Sequence, residues 1–405
     1  MSALRRIGDN SAMPELTIHG ECASRFRRVR EAFEGHFRRG REIGAAVAVV
    51  HDGEKVIDLW AGWADLAKTQ PWQRDTIANV YSCTKAMAAL CAHQLVERGT
   101  LDLDTPVAEY WPEFAQHGKQ RIPVRWLLSH RAAVPAVREI LPNEALYDWK
   151  LITDALAAEE PWWEPGTKHG YHAVTFGWLV GEVVRRVDGR SVGTYFRDEI
   201  ARPLGLDFHI GLADEHHRRV ADLSDLTVAD IDELDADAVG LAQVILADPN
   251  SMTARAFMNP PSMALGVNNP EWRRAEIPGA NGHANARDLA RVYGALARGG
   301  DLDGVHVLDP AGIARFRSEQ SHGPDLVLQI NTRFGLGVML PQDRPDARFG
   351  PSRNAFGHPG AGGALGFADP DGRIGFGYTP NRLGPHILLD PRATALIDAV
   401  YESLR

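Results

Sequence analysis

Strand-forming segments lie at both ends of this 405-residue chain and helical patterns fill its middle, and that distribution limits the fold more than any other feature. Near the N-terminus, GAAVAVVHDGEKVIDLWAGWAD runs from Gly44 to Asp65. Its two apolar arms flank Asp52-Gly53, a strong hairpin signal, and both are apolar enough to be inner strands. Near the C-terminus, GLGVML (335–340) and GALGFADPDGRIGFGYTPN (363–381) read as antiparallel strands, with a turn at Asp369-Pro370-Asp371-Gly372. From about Val124 to Leu296 the pattern is mostly helical, as in TFGWLVGEVVRRV (175–187), SVGTYFRDEIARPLG (191–205) and NARDLARVYGALARGG (285–300). Helical periodicity also marks residues 21–38, and PRATALIDAVYESLR closes the chain. The order predicts an α/β (α+β) fold: an antiparallel sheet built from both termini, with flanking helices and an inserted, mainly helical lobe. Residues 1–100 and 285–405 are expected to form the α/β lobe and 101–284 the helical one. The length agrees, since 405 residues exceed one ordinary hydrophobic core.

The net charge of −9 argues against a nucleic-acid binder, which needs a basic surface. No run of like charge suggests a membrane-surface patch, and no segment of about 18 apolar residues suggests a membrane span. Three cysteines, Cys22, Cys83 and Cys91, are too few and odd in number for a disulfide framework. Cys83 and Cys91 read as small buried apolar residues. The opening MSALRRIGDNSAMPELTIHG has two arginines but no apolar run after them, unlike a secretory signal. The expected compartment is the cytoplasm.

Ser82-Cys83-Thr84-Lys85 opens the helical pattern SCTKAMAALCAHQLVER, which Gly99 closes. Residues three apart share a helix face, so the Lys85 amine can sit beside the Ser82 hydroxyl. The helix N-terminus also places free backbone N–H groups near charge that develops there. An ordinary lysine has a pKa of about 10.4 and is protonated at pH 7. Burial or a second cation is needed to make it a base, and an Ala-rich, buried helix offers burial. Ser-x-x-Lys alone is weak. Here it follows a hairpin, and a tyrosine and a glycine-rich strand come after it in the order that Ser-x-x-Lys hydrolases use.

With those companions the chain resembles the serine β-lactamase and penicillin-binding-protein superfamily in its class C-like branch, and most closely the family VIII carboxylesterases. The matching pieces are the hairpin above, IANVYSCTKAMAAL, VRWLLSHRAAVP, EPGTKHGYHAVTFGWLVGEVV, RPLGLDFHIG and AFGHPGAGGALGFADPDGRIGFGYTPN. The resemblance implies a β-lactamase/transpeptidase-like fold with the site between the lobes, and Ser82 as nucleophile. It matches Tyr171-His172-Ala173 to the family's Tyr-x-Asn. A phenolate-like Tyr171 near Lys85 would then share proton transfer with Ser82 and the leaving group. The asparagine that helps hold a substrate's amide side chain is replaced by Ala173. His358-Pro359-Gly360-Ala361 stands where relatives carry Lys-Thr-Gly. The resemblance implies an oxyanion hole from the Ser82 and Ala361 amides. Gly360 would let substrate approach the strand, and His358 would be a weaker, pH-dependent anion partner than lysine. Both departures favour an ester over a β-lactam.

The function implied is a serine carboxylesterase that hydrolyses short-chain esters through an acyl-enzyme on Ser82, since no lid or long apolar channel is evident. The alternatives are a β-lactamase, D-amino-acid peptidase or acyltransferase on the same site, and a penicillin-recognising sensor without turnover. No metal or cofactor is implied, the partner is a small-molecule ester, and the oligomeric state is open. A rival signal, Gly189-Arg190-Ser191-Val192-Gly193, fits the Gly-x-Ser-x-Gly elbow. That elbow needs a strand before its serine, whereas VGEVVRRVDG reads as a helix, so Ser191 is expected to be an N-cap. Asp214 to Arg219 includes His216 and His217, adjacent and without the spacing of a shared tetrahedral metal site; a solvated turn is expected.

Overall fold

The computed structural model describes residues 16–226, 234–261, 266–344 and 347–405. Most of the N-terminal stretch read above for a signal lies outside them. The main sheet has six strands: β1 (His19–Cys22), β2 (Gly44–His51), β3 (Glu54–Gly62), β4 (Phe356–Pro359), β5 (Leu365–Asp369) and β6 (Ile374–Pro380). Their order is β1-β3-β2-β6-β5-β4, antiparallel throughout. The two chain ends meet where β2 pairs β6, with Val47 opposite Tyr378. The β2–β3 turn takes left-handed backbone at both Asp52 (φ 51°) and Gly53 (φ 87°), as a two-residue hairpin of this twist requires.

The helices that matter for the site are α1 (Arg27–Arg38), α2 (Cys83–Glu97), α3 (Thr175–Asp188), α4 (Ala236–Ala247), α5 (Ala286–Ala297) and α6 (Pro391–Leu404). One sheet face receives α5 at very short range. A Cβ on Gly377 would lie 2.1 Å from the Ala286 carbonyl oxygen, and one on Gly375 would lie 2.2 Å from the Gly294 nitrogen. The alternating glycines of GRIGFGY are therefore the surface on which α5 rests. Val47, Val49, Phe367 and Phe376 belong to the main apolar core, together with Val29 and Phe33 of α1 and Leu396, Ile397 and Val400 of α6.

Every residue of α2 from Cys83 to Leu95 is buried, which explains why its pattern is apolar on most faces. It packs against α3 and against β4. Cys83 and Cys91 are buried and unpaired, as read from the sequence. One expected strand is absent: 335–340 is not regular, and only Met339 bridges to Gly357. Gly337 has φ 97°, left-handed backbone that breaks an extended run, and a Cβ there would meet Ala89 of α2 at 2.1 Å. Strand pairing falls just before it, where Asn331–Phe334 pairs Ser321–Pro324. Among the described residues no helix is long and apolar enough to cross a membrane.

Candidate active site

Ser82 is the N-cap of α2, and the backbone just before it is strained. Tyr81 has φ 42°, a left-handed conformation unusual for an aromatic residue. Thr84 holds this turn. Its hydroxyl donates to the Tyr81 carbonyl at 2.5 Å and accepts from Gly282 N–H at 2.8 Å. Thr84 therefore ties the start of the helix to a segment 198 residues away.

One turn along, Lys85 is fully buried. Its Nζ lies 2.9 Å from Ser82 Oγ, 2.6 Å from the Ala173 carbonyl oxygen and 2.7 Å from that of Gly279. Burial brings Lys85 well below the usual lysine range. A neutral amine has two N–H donors and one lone pair. In that neutral form the two carbonyls can take the donors, which leaves the lone pair to accept the Ser82 hydroxyl proton. Ala173, which lacks the amide of the usual motif, thus contributes through its backbone oxygen.

Tyr171 donates its phenolic O–H to Ser82 Oγ at 2.9 Å. Burial pushes the phenol above the ordinary tyrosine range, with the Ser82 hydrogen bond opposing in part. Burial thus favours the protonated phenol over the phenolate-like form expected from the sequence. Lys85 Nζ also sits 4.8 Å from the centre of the Tyr171 ring. The structure brings Ser82, Lys85 and Tyr171 into direct contact from two segments of the chain.

Sequence reasoning missed the groups that hold Tyr171 in place. The buried Asp325 carboxylate accepts from the backbone N–H groups of Tyr171 (3.0 Å), Val327 (2.9 Å) and Leu328 (2.9 Å), and from the Thr332 hydroxyl (3.1 Å). His130 Nδ1 accepts from His172 N–H at 3.1 Å, and its ring lies 5.0 Å from that of Tyr171. Burial, with His172 second, drops His130 well below the usual histidine range, so it stays neutral. SHRAAV was visible as a matching segment, but nothing local marked His130 as a support for Tyr171. Asp325 had no signal at all. Asp325→Ala is expected to leave three backbone donors unpaired, at about 1–3 kcal/mol per buried donor. Turnover should fall roughly tenfold or more as Tyr171 drifts, by the positional sensitivity of catalytic geometry. Thermal melts and steady-state kinetics would check both, with Asp325→Asn intermediate because it keeps one acceptor oxygen.

Ala361 is exposed and lines the same cavity as Ser82. Among the described residues neither backbone N–H, of Ser82 or of Ala361, is taken up by a hydrogen bond. His358 also lines the cavity but is only 1% exposed. Its Nδ1 lies 2.7 Å from the Pro359 carbonyl oxygen, and Nε2 has no partner among the described residues. Burial lowers its pKa to about 3. His358 is therefore neutral, which corrects the expectation of an anion partner that charges with pH. Gly360 needs correcting too. It is buried and does not line the cavity, and a Cβ there would lie 2.3 Å from the Val80 carbonyl oxygen. Its bare Cα lets the end of β4 pack against the backbone before Ser82, not against substrate.

Ser191 is the N-cap of the helix Val192–Phe196, as read from the sequence. It accepts from Thr194 N–H at 3.2 Å and donates to Glu276 at 2.6 Å. The preceding segment is α3, not a strand, so the elbow geometry is missing. Asp214–Arg219 forms a 3-10 helix, with Asp214 paired to Arg274 at 2.6 Å.

The model of the Beta-lactamase family matches residues 29–400. The chain is 37% identical to the "Esterase/beta-lactamase LipL" of Mycobacterium tuberculosis over 383 residues, 92% of this chain and 85% of that protein. It is similar to the crystal structure of a family VIII carboxylesterase, with a TM-score of 0.85 and 39% identity over 96% of this chain and all of that one. A penicillin-binding protein homologue from Caulobacter crescentus superposes with a TM-score of 0.86 at 42% identity, over the same share of both chains. The β-lactamase/transpeptidase-like fold, the family match over almost the whole chain and these likenesses agree: the protein is a serine hydrolase that belongs to the serine β-lactamase and penicillin-binding-protein superfamily, close to the family VIII carboxylesterases.

Proposed function

We propose that this hydrolase is a carboxylesterase that works through an acyl-enzyme on Ser82. The observation that carries the reading is that Ser82 Oγ sits 2.9 Å from both Lys85 Nζ and Tyr171 OH. As Ser82 Oγ bonds to the ester carbonyl carbon, its proton passes to Lys85 Nζ. The oxyanion that forms is held by the Ser82 and Ala361 N–H groups. When the carbonyl–alkoxy bond breaks, the departing alkoxide takes a proton from Tyr171, and Lys85 returns one to Tyr171. Water then attacks the acyl-enzyme, giving one proton to the same pair, which restores it to Ser82 as the carboxylic acid leaves.

The preference for an ester over a β-lactam rests on charge. Among the described residues no lysine or arginine lines the Ser82 cavity, and burial lowers the His358 pKa to about 3, which favours its neutral form. A drug carboxylate would meet no fixed cation there. We take the two-lobed division, 1–100 with 285–405 against 101–284, as part of this reading, with substrate held between. One qualification comes from Asp325, which belongs to the first set yet supports Tyr171 of the second. The three unpaired cysteines support a reducing compartment such as the cytoplasm. The test is a side-by-side assay of p-nitrophenyl acetate, p-nitrophenyl butyrate and nitrocefin. Ester turnover well above nitrocefin turnover is expected. Strong nitrocefin hydrolysis with no esterase activity would overturn the proposal in favour of a β-lactamase.

A further inference from the structure

Arg392 lies in the first turn of α6, and its side chain is buried. A guanidinium stays charged, so burial obliges the protein to supply partners for its N–H groups. Nε and Nη2 form a fork on the two Asp390 oxygens, at 2.9 Å and 2.7 Å. Nη1 donates to Glu42 Oε2 at 3.1 Å, and to the carbonyls of Arg41 at 3.1 Å and Arg382 at 3.0 Å. The remaining bond leads to the active site: Nη2 donates to the Gly362 carbonyl at 2.8 Å. Gly362 follows Ala361 and lines the Ser82 cavity with it.

The backbone around this guanidinium is cut to fit it. A Cβ on Gly363 would lie 2.8 Å from Arg392 Nη2. A Cβ on Gly384 would lie 2.0 Å from Asp390 Oδ2 and 2.8 Å from the same nitrogen. Gly384 N–H also donates to the Gly362 carbonyl, at 3.0 Å. Arg392 thus joins the turn between β4 and β5 to the segment that follows Arg382, and residues of both line the cavity.

Within the turn, two peptide units are linked in series. The Gly362–Gly363 peptide offers its carbonyl to Arg392, and its N–H donates to the Gly360 carbonyl at 3.2 Å. The Gly360–Ala361 peptide is held in turn by that carbonyl, and its other end is the Ala361 N–H, which no hydrogen bond takes up among the described residues. These bonds fix the plane of each peptide and so the direction of the last N–H. A cation on the first carbonyl also polarises each peptide in sequence and strengthens the last donor.

We infer that Arg392 is a positioning residue for the oxyanion hole: through Gly362, Gly363 and Gly360 it orients and polarises the Ala361 N–H without touching substrate. This rests on the acyl-enzyme reading above and adds to it a group from the C-terminal helix.

The experiment combines p-nitrophenyl butyrate kinetics with the affinity for an aliphatic trifluoromethyl ketone, whose carbonyl takes up Ser82 Oγ to give a tetrahedral oxyanion. Arg392→Met is expected to lower kcat about 10- to 100-fold and to weaken ketone affinity by a similar factor, with KM changed less than about threefold, since loss of a whole oxyanion donor costs about 10²–10³-fold. Arg392→Lys keeps the charge but not the fork, and should fall between Arg392→Met and the native enzyme. Leu396→Ala, in the core beneath the same helix, should lower the melting temperature and leave kcat and ketone affinity within about twofold. Should Arg392→Met fail to fold, Asp390→Asn decides. Asparagine keeps the helix cap but sets an N–H where one prong of the fork is accepted, so kcat is expected to fall several-fold with KM kept. Native-like kcat and ketone affinity in a folded Arg392→Met or in Asp390→Asn, a rise in KM as large as the fall in kcat, or an equal fall in Leu396→Ala would overturn the inference and leave the esterase reading standing. If the native enzyme turns over no ester, the esterase reading fails instead. The ketone then decides alone: weaker affinity in Arg392→Met supports the inference, and equal affinity, or no adduct on native Ser82, overturns it.

Discussion

Ser82→Ala is expected to reduce ester turnover on the order of 10⁵-fold while the protein stays folded. The hydroxyl is the atom on which the proposed acyl-enzyme forms, and both Lys85 and Tyr171 point at it, at 2.9 Å each. Groups that act as one unit lose nearly all of their effect when the nucleophile goes, so the residual rate should come from binding and the oxyanion N–H groups alone. Mass spectrometry of enzyme quenched during turnover should show an acyl adduct on the native protein and none on the variant. Ser191→Ala is the contrasting control. Ser191 caps a helix and hydrogen-bonds Glu276. Its loss should cost about 0.5–2 kcal/mol of stability and change kcat only slightly. If Ser191→Ala abolished turnover and Ser82→Ala did not, the assignment of the nucleophile would be wrong.

Lys85→Gln is expected to lower kcat/KM by about 10³–10⁴-fold. Glutamine can still donate to the Ala173 and Gly279 carbonyls, but it cannot accept the Ser82 proton. Lys85→Arg should not rescue activity, because a guanidinium does not deprotonate in proteins. The pH profile gives an independent sign. Burial holds Lys85 well below the usual lysine range. The base is neutral above that depressed pKa, so kcat/KM should fall as pH drops through it. Tyr171 is displaced the other way, by burial, so its loss of a proton should give no alkaline limb near pH 10. Stability has its own sign. Between the folded pKa of Lys85 and about 10.4, the unfolded chain binds the extra proton. The contribution of this group to stability therefore rises with pH across that window. An activity that rises with pH through that depressed pKa in the native enzyme and loses the limb in Lys85→Gln would support the role of Lys85; an unchanged limb would exclude it.

How much of this could be read in advance depends on how local each feature is. The hairpin at Asp52-Gly53, the helix ended by Gly99 and the i, i+3 placement of Ser82 and Lys85 are short-range patterns, and each is found where the residues put it. The run 335–340 misled because its alternation is that of a strand, while Gly337 is left-handed and packed against Ala89. Gly360 misled for a related reason: a glycine at a strand end fits either substrate or backbone, and only the position of Val80 separates them.

By itself, then, the sequence determined the order of strands and helices and the sheet drawn from both ends of the chain. It also offered Ser82 and Lys85 by spacing, and Tyr171 through the resemblance, as a candidate set. Only the tertiary structure carries the direction in which that set titrates, since burial is what displaces Lys85 downward and Tyr171 upward. It alone showed Asp325 bound to Tyr171 across 154 residues. Desolvation and long-range contacts are properties of the packed chain, and no local pattern carries them.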